Sequence, residues 1–367
     1  MRTLNTVTPR VFIAATRQNE GKTTTSLGLL SALHQFYPRI GYIKPVGQRF
    51  VEIEEQKIDE DTVLMDQVYR LNCPLLDMSP IAVEPDFTRK YLQSSNNEAL
   101  VKKIIKAFDR VAWEKDFVLC EGSGHAGVGS VFDLSNAQVA QILDAKVIII
   151  SQGGIGKPID EVYLNQAVFE REGVEVIGVI LNKVTPEKID YITEFARRGL
   201  KRKGLDLLGV LPHLHILSRP TVAAIQEELK ARSLNHSSQL HNLVASVVIG
   251  AMGAQNAVNH FKRGALVITP GDREDIVLAA VAANEAGRQL AGLVLTEKIK
   301  PVNGVLRAIE KAPFPVLLAE EDSYEVASQV HNLIVKTHAV DTEKISVIRD
   351  LIATHVDVNK ILRALKL

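Results

Sequence analysis

The organisation of the chain is clearest in residues 11–24, which read Val11-Phe-Ile-Ala-Ala-Thr16-Arg-Gln-Asn-Glu-Gly21-Lys22-Thr23-Thr24. The first five residues are apolar and predict a buried strand, and the Gly-Lys-Thr triplet opens a segment with helical spacing. A helix that begins directly after such a loop points its backbone N–H groups and its positive end at the space beyond the strand. This succession of strand, loop and helix therefore predicts a phosphate-binding loop.

The loop residues suit a nucleotide phosphate bound together with Mg²⁺. Lys22 would neutralise the outer phosphate oxygens, and the Thr23 hydroxyl would ligate the metal ion. The residues expected to contact the cofactor here are Thr16, Glu20, Gly21, Lys22, Thr23 and Thr24. Thr16 departs from the strict P-loop pattern, which has glycine at that position. The alternative interpretation is an ordinary helix start with an incidental Gly-Lys pair.

On either side of this loop, short β-branched runs alternate with longer amphipathic segments as far as residue 212. The runs are almost continuously apolar, which indicates strands buried on both faces in a parallel sheet. They comprise Val11–Ala15, Ile40–Lys44, Phe117–Glu121, Val147–Ser151, Val176–Asn182 and Leu207–Leu211. The predicted fold class is α/β, with helices on both faces of a parallel sheet.

Residues 212–220 contain two prolines and no regular periodicity, which indicates a domain boundary. We expect a first domain over residues 1–213 and a smaller α/β domain over residues 214–338. Residues 339–367 are expected to form a C-terminal helical tail.

The composition excludes several classes of protein. The 43 Lys and Arg residues equal the 43 Asp and Glu residues in number, so bulk charge attracts neither nucleic acid nor a membrane surface. The 2 cysteines are too few for a disulfide framework, and no apolar segment is long enough to span a bilayer. We therefore expect a cytoplasmic protein that binds neither nucleic acid nor a membrane.

Five short motifs along the first 215 residues carry a resemblance to a known family. They are Thr16-x4-Gly21-Lys22-Thr23, Gly41-Tyr-Ile-Lys44-Pro45-Val46-Gly47, Glu121-Gly-Ser-Gly124, Leu181-Asn182-Lys183-Val184 and Leu208-Gly-Val-Leu-Pro212. In this order they resemble dethiobiotin synthetase and its relatives, which include cobyrinic acid diamide synthase and the N-terminal domain of long bacterial phosphate acetyltransferases. The resemblance implies a P-loop NTPase-like fold with ATP and Mg²⁺ as cofactors.

The resemblance also implies which residues carry the chemistry. Lys44, at the carboxyl end of a predicted strand, matches a second active-site lysine beside Lys22, and ligands of α/β sheets gather at that edge. Its alternative is a solvated lysine at the end of a strand. The metal ligands would be Thr23, Asp61 and Glu121.

The two carboxylates have structural alternatives as well. Glu121 opens a glycine-rich turn that needs no metal, and Asp61 lies in an acidic cluster typical of a solvated helix start. Asn182 resembles the asparagine that reads the adenine edge, since an amide both donates and accepts. Its alternative is an ordinary turn residue after a strand.

The second domain resembles the DRTGG domain, which accompanies the same P-loop domain in long phosphate acetyltransferases. Of the motif that names this domain, the chain keeps Asp272-Arg273. We expect Asp272 to cap the following helix and Arg273 to offer its guanidinium to an anion or simply to solvent. Because such domains tend to pair, we expect a homodimer or a higher homo-oligomer.

Two functions remain open. The leading hypothesis is a Mg-ATP-binding protein that transfers a phosphoryl group to a small carboxylate, or ligates it, with Lys22 and Lys44 as catalytic residues. The alternative is a non-catalytic, nucleotide-sensing regulator that acts through its DRTGG-like domain. The small-molecule substrate is not identified, because Gly47-Gln48-Arg49-Phe50 replaces the small residues of dethiobiotin synthetases. Complete phosphate acetyltransferase or glutamine amidotransferase activity is not expected.

Overall fold

The computed structural model describes residues 5–236 and 238–366. These residues form two compact units. Unit 1 contains the described residues up to His213 together with those from Thr342 onward, and unit 2 contains the described residues of Leu214–Asp341.

Before the chain enters unit 2, the described residues of unit 1 form ten strands and eight α-helices. The strands are β1 (Arg10–Ala15), β2 (Ile40–Ile43), β3 (Val46–Gly47), β4 (Phe50–Ile53), β5 (Gln56–Asp59), β6 (Ile81–Ala82), β7 (Phe117–Glu121), β8 (Lys146–Gln152), β9 (Val176–Val184) and β10 (Leu207–Pro212). The helices are α1 (Lys22–His34), α2 (Glu60–Tyr69), α3 (Leu75–Met78), α4 (Phe87–Gln93), α5 (Asn97–Val111), α6 (Asn136–Ile142), α7 (Lys157–Arg171) and α8 (Ile189–Lys201).

Six of these strands form one parallel sheet in the order β10-β9-β8-β1-β7-β2. Strand β1 lies between β7 and β8, with Phe12 opposite Cys120 and Val147. Every residue of β1 and β7 is buried, which explains the unbroken apolar runs of the sequence. The predicted α/β class with a P-loop NTPase-like parallel sheet is confirmed.

A β-hairpin that the strand pattern did not predict precedes α2. Strands β4 and β5 pair antiparallel, with Phe50 opposite Asp59, and the turn between them passes through Glu54 and Glu55 at φ +48° and +64°. These two turn residues occupy the left-handed region that tight hairpins require. The hairpin returns the chain to the carboxyl edge of the large sheet just before Asp61.

Unit 2 is a second, smaller α/β unit. Its strands are β11 (Arg232–Ser233), β12 (Ser246–Ile249), β13 (Ala265–Pro270), β14 (Gly292–Thr296) and β15 (Val316–Leu318), and its helices are α9 (Val222–Glu228), α10 (Ala254–Ala257), α11 (Glu274–Ala283), α12 (Asn303–Lys311) and α13 (Ser323–Asn332). The sheet order is β11-β15-β14-β13-β12, parallel except for the antiparallel pair of β11 and β15.

The expected cap of α11 is wrong. Residue Arg273, not Asp272, is the N-cap, and no side chain caps the helix. The Arg273 guanidinium donates to the carbonyl oxygens of Gly250 and Met252 and pairs with Asp275 at 2.9 Å. The guanidinium that could have bound an anion thus holds the loop after β12 against α11.

The last two helices, α14 (Thr342–His355) and α15 (Val358–Leu365), are part of unit 1. Helix α14 lies against α1 at Gly28, where a Cβ would come within 2.2 Å of Ile352 Cγ1. The Asp357 N–H donates to the Leu208 carbonyl at 2.8 Å, so the chain between the two helices lies along β10. Residues 342–365 therefore belong to unit 1. The expected C-terminal tail, separate from the first domain, is not what the structure has. None of the described helices is both long and apolar enough to cross a membrane.

Candidate functional site

The loop between β1 and α1 is closed by a glycine that no other residue could replace without strain. Gly21 lies at φ +95°, and a Cβ on it would come within 2.1 Å of Asn182 Nδ2. The loop starts from a fixed point, since Thr16 N–H donates to the Ile150 carbonyl at 2.9 Å and its hydroxyl lies 3.2 Å from that of Ser151. Helix α1 thus begins with its first N–H groups at the carboxyl edge of the sheet.

Strand β9 supports the loop from one side. The Asn182 amide donates to the Glu20 carbonyl at 2.8 Å, and its oxygen accepts the Lys183 N–H. The Lys183 ammonium donates to the Asn19 carbonyl at 2.6 Å. Asn182 therefore positions the loop in this structure, and its contact with adenine stays a prediction.

Glu20, in the same loop, carries a buried carboxylate. Its Oε2 atom has no hydrogen-bond partner among the residues that the structure describes. Burial raises the pKa of Glu20, against the opposing effect of the Lys183 charge. A buried oxygen without a partner is a ready acceptor for a donor group of a ligand.

Lys22 carries a buried positive charge at the start of α1. Only 9% of the side chain is exposed, and among the described residues it makes no ion pair and no hydrogen bond. Burial lowers the pKa of Lys22, and the nearby charges of Glu121 and Asp61 oppose that change. Because a desolvated ammonium without a counterion is costly, this position favours an anion, and the N–H groups of α1 favour one as well.

Glu121 is the last residue of β7 and is fully buried. One of its oxygens accepts the Thr23 hydroxyl and the other accepts the Tyr42 hydroxyl, both at 3.1 Å. Burial raises the pKa of Glu121, while the Lys44 charge opposes the rise. The carboxylate is thus oriented from two sides at the start of the glycine-rich turn.

The Lys44 ammonium lies among three carboxylates. It pairs with Asp61 in a short hydrogen bond, with Asp59 Oδ1 at 3.2 Å and with Glu121 Oε1 at 3.7 Å. Burial on its own would lower the pKa of Lys44, but the attraction of Asp61, Asp59 and Glu121 outweighs it and raises the pKa well above the usual range. Lys44 is therefore not a solvated strand-end lysine.

The acidic residues of this cluster respond differently to burial. The pKa of Asp61 falls below its usual value, because the Lys44 charge outweighs the effect of burial. The pKa of Asp59 rises, because burial outweighs the same charge. The Asp59 carboxylate also accepts the Asp61 N–H at 3.0 Å. The backbone N–H of Asp59 donates to the Ser79 hydroxyl. Asp61 is the carboxylate best placed to stay ionised.

Three of these groups suit a magnesium ion. The Thr23 hydroxyl and the carboxylates of Asp61 and Glu121 offer the hard oxygen ligands that Mg²⁺ prefers, with room for water and phosphate in the remaining positions. In the described part of the chain, no group of three His, Cys, Asp or Glu side chains is arranged to hold a metal ion unaided.

The structure thus brings five of the predicted residues together at one edge of the sheet, namely Lys22, Thr23, Lys44, Asp61 and Glu121. Glu20 and Asn182 lie on the β9 side of the loop, and Thr24 is half-buried in the first turn of α1.

Sequence reasoning missed Asp59 and Tyr42. Asp59 could have been found from its place as the N-cap of α2, two residues before Asp61. Tyr42 carried no such signal, because it lies in an otherwise apolar strand.

Neither cysteine is an activated nucleophile. Both thiols are free, and burial raises the pKa of Cys73 to about 11 and of Cys120 to about 12. A thiol reagent at pH 8 is therefore expected to modify both in the folded chain at least about 100-fold more slowly than in the denatured chain, because the thiolate is the reacting form. Absorbance from a disulfide reagent measures the two rates, and rapid labelling of the folded chain would contradict the inertness of these residues.

Comparison with known families and proteins agrees with this architecture. The AAA_26 family model, described as an AAA domain, matches residues 9–221, and the DRTGG domain model matches residues 224–333. The phosphate acetyltransferase of Pseudomonas putida is 29% identical over 357 residues, covering 94% of this chain and 50% of that protein. The phosphate acetyltransferase of Pseudomonas aeruginosa is 30% identical over 363 residues, with the same coverage of 94% and 50%.

The chain therefore spans about half the length of the curated relatives that it matches. The resemblance to the P-loop and DRTGG portions of long phosphate acetyltransferases is confirmed. Among solved structures, the septum site-determining protein MinD with Mg-ADP from Pyrococcus horikoshii is 14% identical, with a TM-score of 0.35 and coverage of 57% of this chain and 84% of that one.

Proposed function

Because the chain belongs to the AAA_26 family of AAA domains, we propose that it binds ATP with Mg²⁺ at residues 16–24 and transfers the γ-phosphoryl group to a small carboxylate. The observation that carries the nucleotide site is Lys22, a buried ammonium without a counterion at the start of α1. A phosphate placed there would relieve the desolvation cost and accept the first N–H groups of the helix.

The site residues divide between the phosphates and the metal. Lys22 would neutralise the outer phosphate oxygens, and Thr23, Asp61 and Glu121 would hold Mg²⁺. The metal, when bound, would neutralise charge on the phosphates. Tyr42 would keep Glu121 oriented toward Thr23, since it holds the second oxygen of that carboxylate at 3.1 Å. Thr16, Glu20, Gly21 and Thr24 would complete the contact with the nucleotide.

The reaction itself needs few protein groups. A carboxylate oxygen of the substrate would form a bond to the γ-phosphorus as the bond to the β–γ bridging oxygen breaks, which yields an acyl phosphate and ADP. Charge on the transferred oxygens is greatest during this exchange, so a second cation beside Lys22 has its largest effect there. Lys44 is that cation, 3.7 Å from Glu121 in this structure.

A second function, nucleotide sensing without turnover, is favoured by a different observation. The Lys44 ammonium already pairs with Asp59, Asp61 and Glu121. A stabilising role in this cluster would account for Lys44 without any catalytic role. In this alternative the DRTGG domain would transmit the response to nucleotide, and the expected homodimer would pass that response to the second subunit. Asn182 would contact adenine in either case.

Turnover separates the two functions. Calorimetry with Mg-ATP is expected to show one site per chain, at the loop of residues 16–24. Steady ADP release that depends on an added carboxylic acid, measured by a coupled assay over a panel of small acids, supports phosphoryl transfer. Binding without turnover over the whole panel supports the sensor. No heat with any nucleotide would contradict both.

A further inference from the structure

We propose that Lys44 is a built-in cation, which holds the metal-binding oxygens of Asp61 and Glu121 in the nucleotide-free chain and moves aside onto Asp59 when the metal enters. This inference rests on the proposed Mg-nucleotide site and adds the control of its metal affinity.

The ammonium and a metal ion need the same oxygen atoms. Lys44 Nζ hydrogen bonds to Asp61 Oδ2 and lies 3.7 Å from Glu121 Oε1, the oxygen that also accepts the Thr23 hydroxyl. A divalent cation bound to these oxygens would lie within a few ångströms of the ammonium. Two cations so close in a buried site repel strongly, so both cannot hold these positions.

Burial explains why the chain keeps a cation of its own here. Asp59 and Glu121 are 2% and 0% exposed, and carboxylates buried this deeply require a positive partner. A lysine can fill that role temporarily, because its stem is flexible and its charge is not tied to a fixed planar geometry. Lys44 itself follows β2 directly, and its backbone N–H donates to the Met78 carbonyl at 2.8 Å, so only the side chain has to move.

Asp59 is suited to keep the displaced ammonium. It lies 3.2 Å from Lys44 Nζ but makes no hydrogen bond with Thr23. Its position is fixed, because Asp61 N–H donates to it, Ser79 accepts its N–H, and Gly47 leaves room that a Cβ would fill at 2.6 Å from Oδ2. Asp59 is thus a positioning residue for Lys44 and not one of the proposed metal ligands.

The consequence is coupling between metal and nucleotide. A metal ion arriving alone must displace Lys44 with only Asp59 left to pair with its ammonium, whereas an ion arriving with ATP brings phosphate oxygens that the displaced ammonium can also contact. The nucleotide-free chain should therefore bind divalent cations weakly.

Titration with Mn²⁺ in the absence of nucleotide, followed by electron paramagnetic resonance of the free ion, tests this. Lys44→Gln is expected to bind Mn²⁺ at least about tenfold more tightly than the wild type, because the competing charge is gone. Lys44→Arg keeps the charge and should stay within about threefold of the wild type. Lys22→Gln is the comparison variant, since it removes a second buried cation whose charge acts on Glu121 and Asp61 but which makes no ion pair with them among the described residues. It should raise the Mn²⁺ affinity clearly less than Lys44→Gln does.

Equal gains in Lys44→Gln and Lys22→Gln would overturn the proposal, because general electrostatics would then suffice. Less than a twofold gain in Lys44→Gln would overturn it as well. If Lys44→Gln does not fold, Lys44→Gln with Asp59→Asn removes one carboxylate together with the ammonium and leaves the metal ligands intact. This double variant should still bind Mn²⁺ at least about tenfold more tightly than the wild type, and Asp59→Asn alone should not. A gain in Asp59→Asn alone without one in the double variant would contradict the role of Lys44 as the competitor.

The outcome is separable from that of the proposed function. If the wild-type chain does not bind Mg-ATP in calorimetry but Lys44→Gln gains Mn²⁺ affinity, the inference about Lys44 is supported and the proposed nucleotide site is contradicted. If the wild type binds Mg-ATP but the Mn²⁺ affinity of Lys44→Gln is unchanged, the nucleotide site is supported and the inference about Lys44 is contradicted.

Discussion

Lys22→Met is expected to lower the affinity for Mg-ATP at least about 100-fold. The substitution keeps most of the side-chain volume and removes the charge of a residue that is only 9% exposed and makes no ion pair among the described residues. A charge-assisted contact with phosphate in such a desolvated place contributes several kcal/mol, which exceeds the roughly 2.7 kcal/mol that a 100-fold change requires. Isothermal titration calorimetry with Mg-ATP measures the change.

The same experiment carries its own controls. Lys102→Met removes an exposed lysine that pairs with Glu98 on α5, far along the chain from the loop, and should leave the affinity unchanged. The thermal midpoint of Lys22→Met should stay close to that of the wild type without nucleotide, because the relief of desolvation offsets the lost attraction to Glu121 and Asp61. Unchanged affinity in Lys22→Met would mean that the phosphate does not lie at this end of α1.

Gly28→Ala is expected to destabilise unit 1 by about 1 to 3 kcal/mol, although helix propensity alone favours alanine by about 1 kcal/mol. The added Cβ would lie 2.2 Å from Ile352 Cγ1 and 3.0 Å from the Ile348 carbonyl oxygen, so α14 must move away from α1. The sign of the change therefore reports whether α14 lies on α1 in solution. Chemical denaturation measures stability, and hydrogen exchange of residues 342–355 locates the change.

Two companion variants sharpen the result. Gly304→Ala, in α12, meets no atom within 4 Å and should be neutral or slightly stabilising. Ile352→Ala removes Cγ1, the atom nearest to the new methyl group, and leaves only Cβ at 2.8 Å, so in the Gly28→Ala background it should cost clearly less than in the wild type. Additive costs in this cycle, or a stabilising Gly28→Ala, would place α14 away from α1.

The phosphate loop shows how far local pattern reaches. The buried strand, Gly21 and the helix start are neighbours in sequence, so their geometry follows from local conformational preference and was predicted as a unit. Glu121 and Lys44 were predicted at the same edge because strands of a parallel sheet end on one side.

Other parts of the site depend on contacts between distant segments. Asp59 and Asp61 approach Lys44 only because the hairpin of β4 and β5 folds back, and the acidic run that contains them is equally typical of a solvated helix start. The cap expected from Asp272 failed for a related reason, since the loop after β12, which engages Arg273, is remote in sequence. Helices α14 and α15 were predicted as helices, but amphipathic spacing does not say which surface covers the apolar face.

By itself, therefore, the sequence determined the α/β class, the division near residue 213 and the loop that presents Lys22 and Thr23, because each is expressed in neighbouring residues or in the repeated alternation of strand and helix. Only the tertiary structure decided that Lys44 lies among three carboxylates and that α14 packs on α1. Those arrangements arise from burial and charge pairing between segments far apart along the chain, and these interactions leave no periodic trace in the sequence.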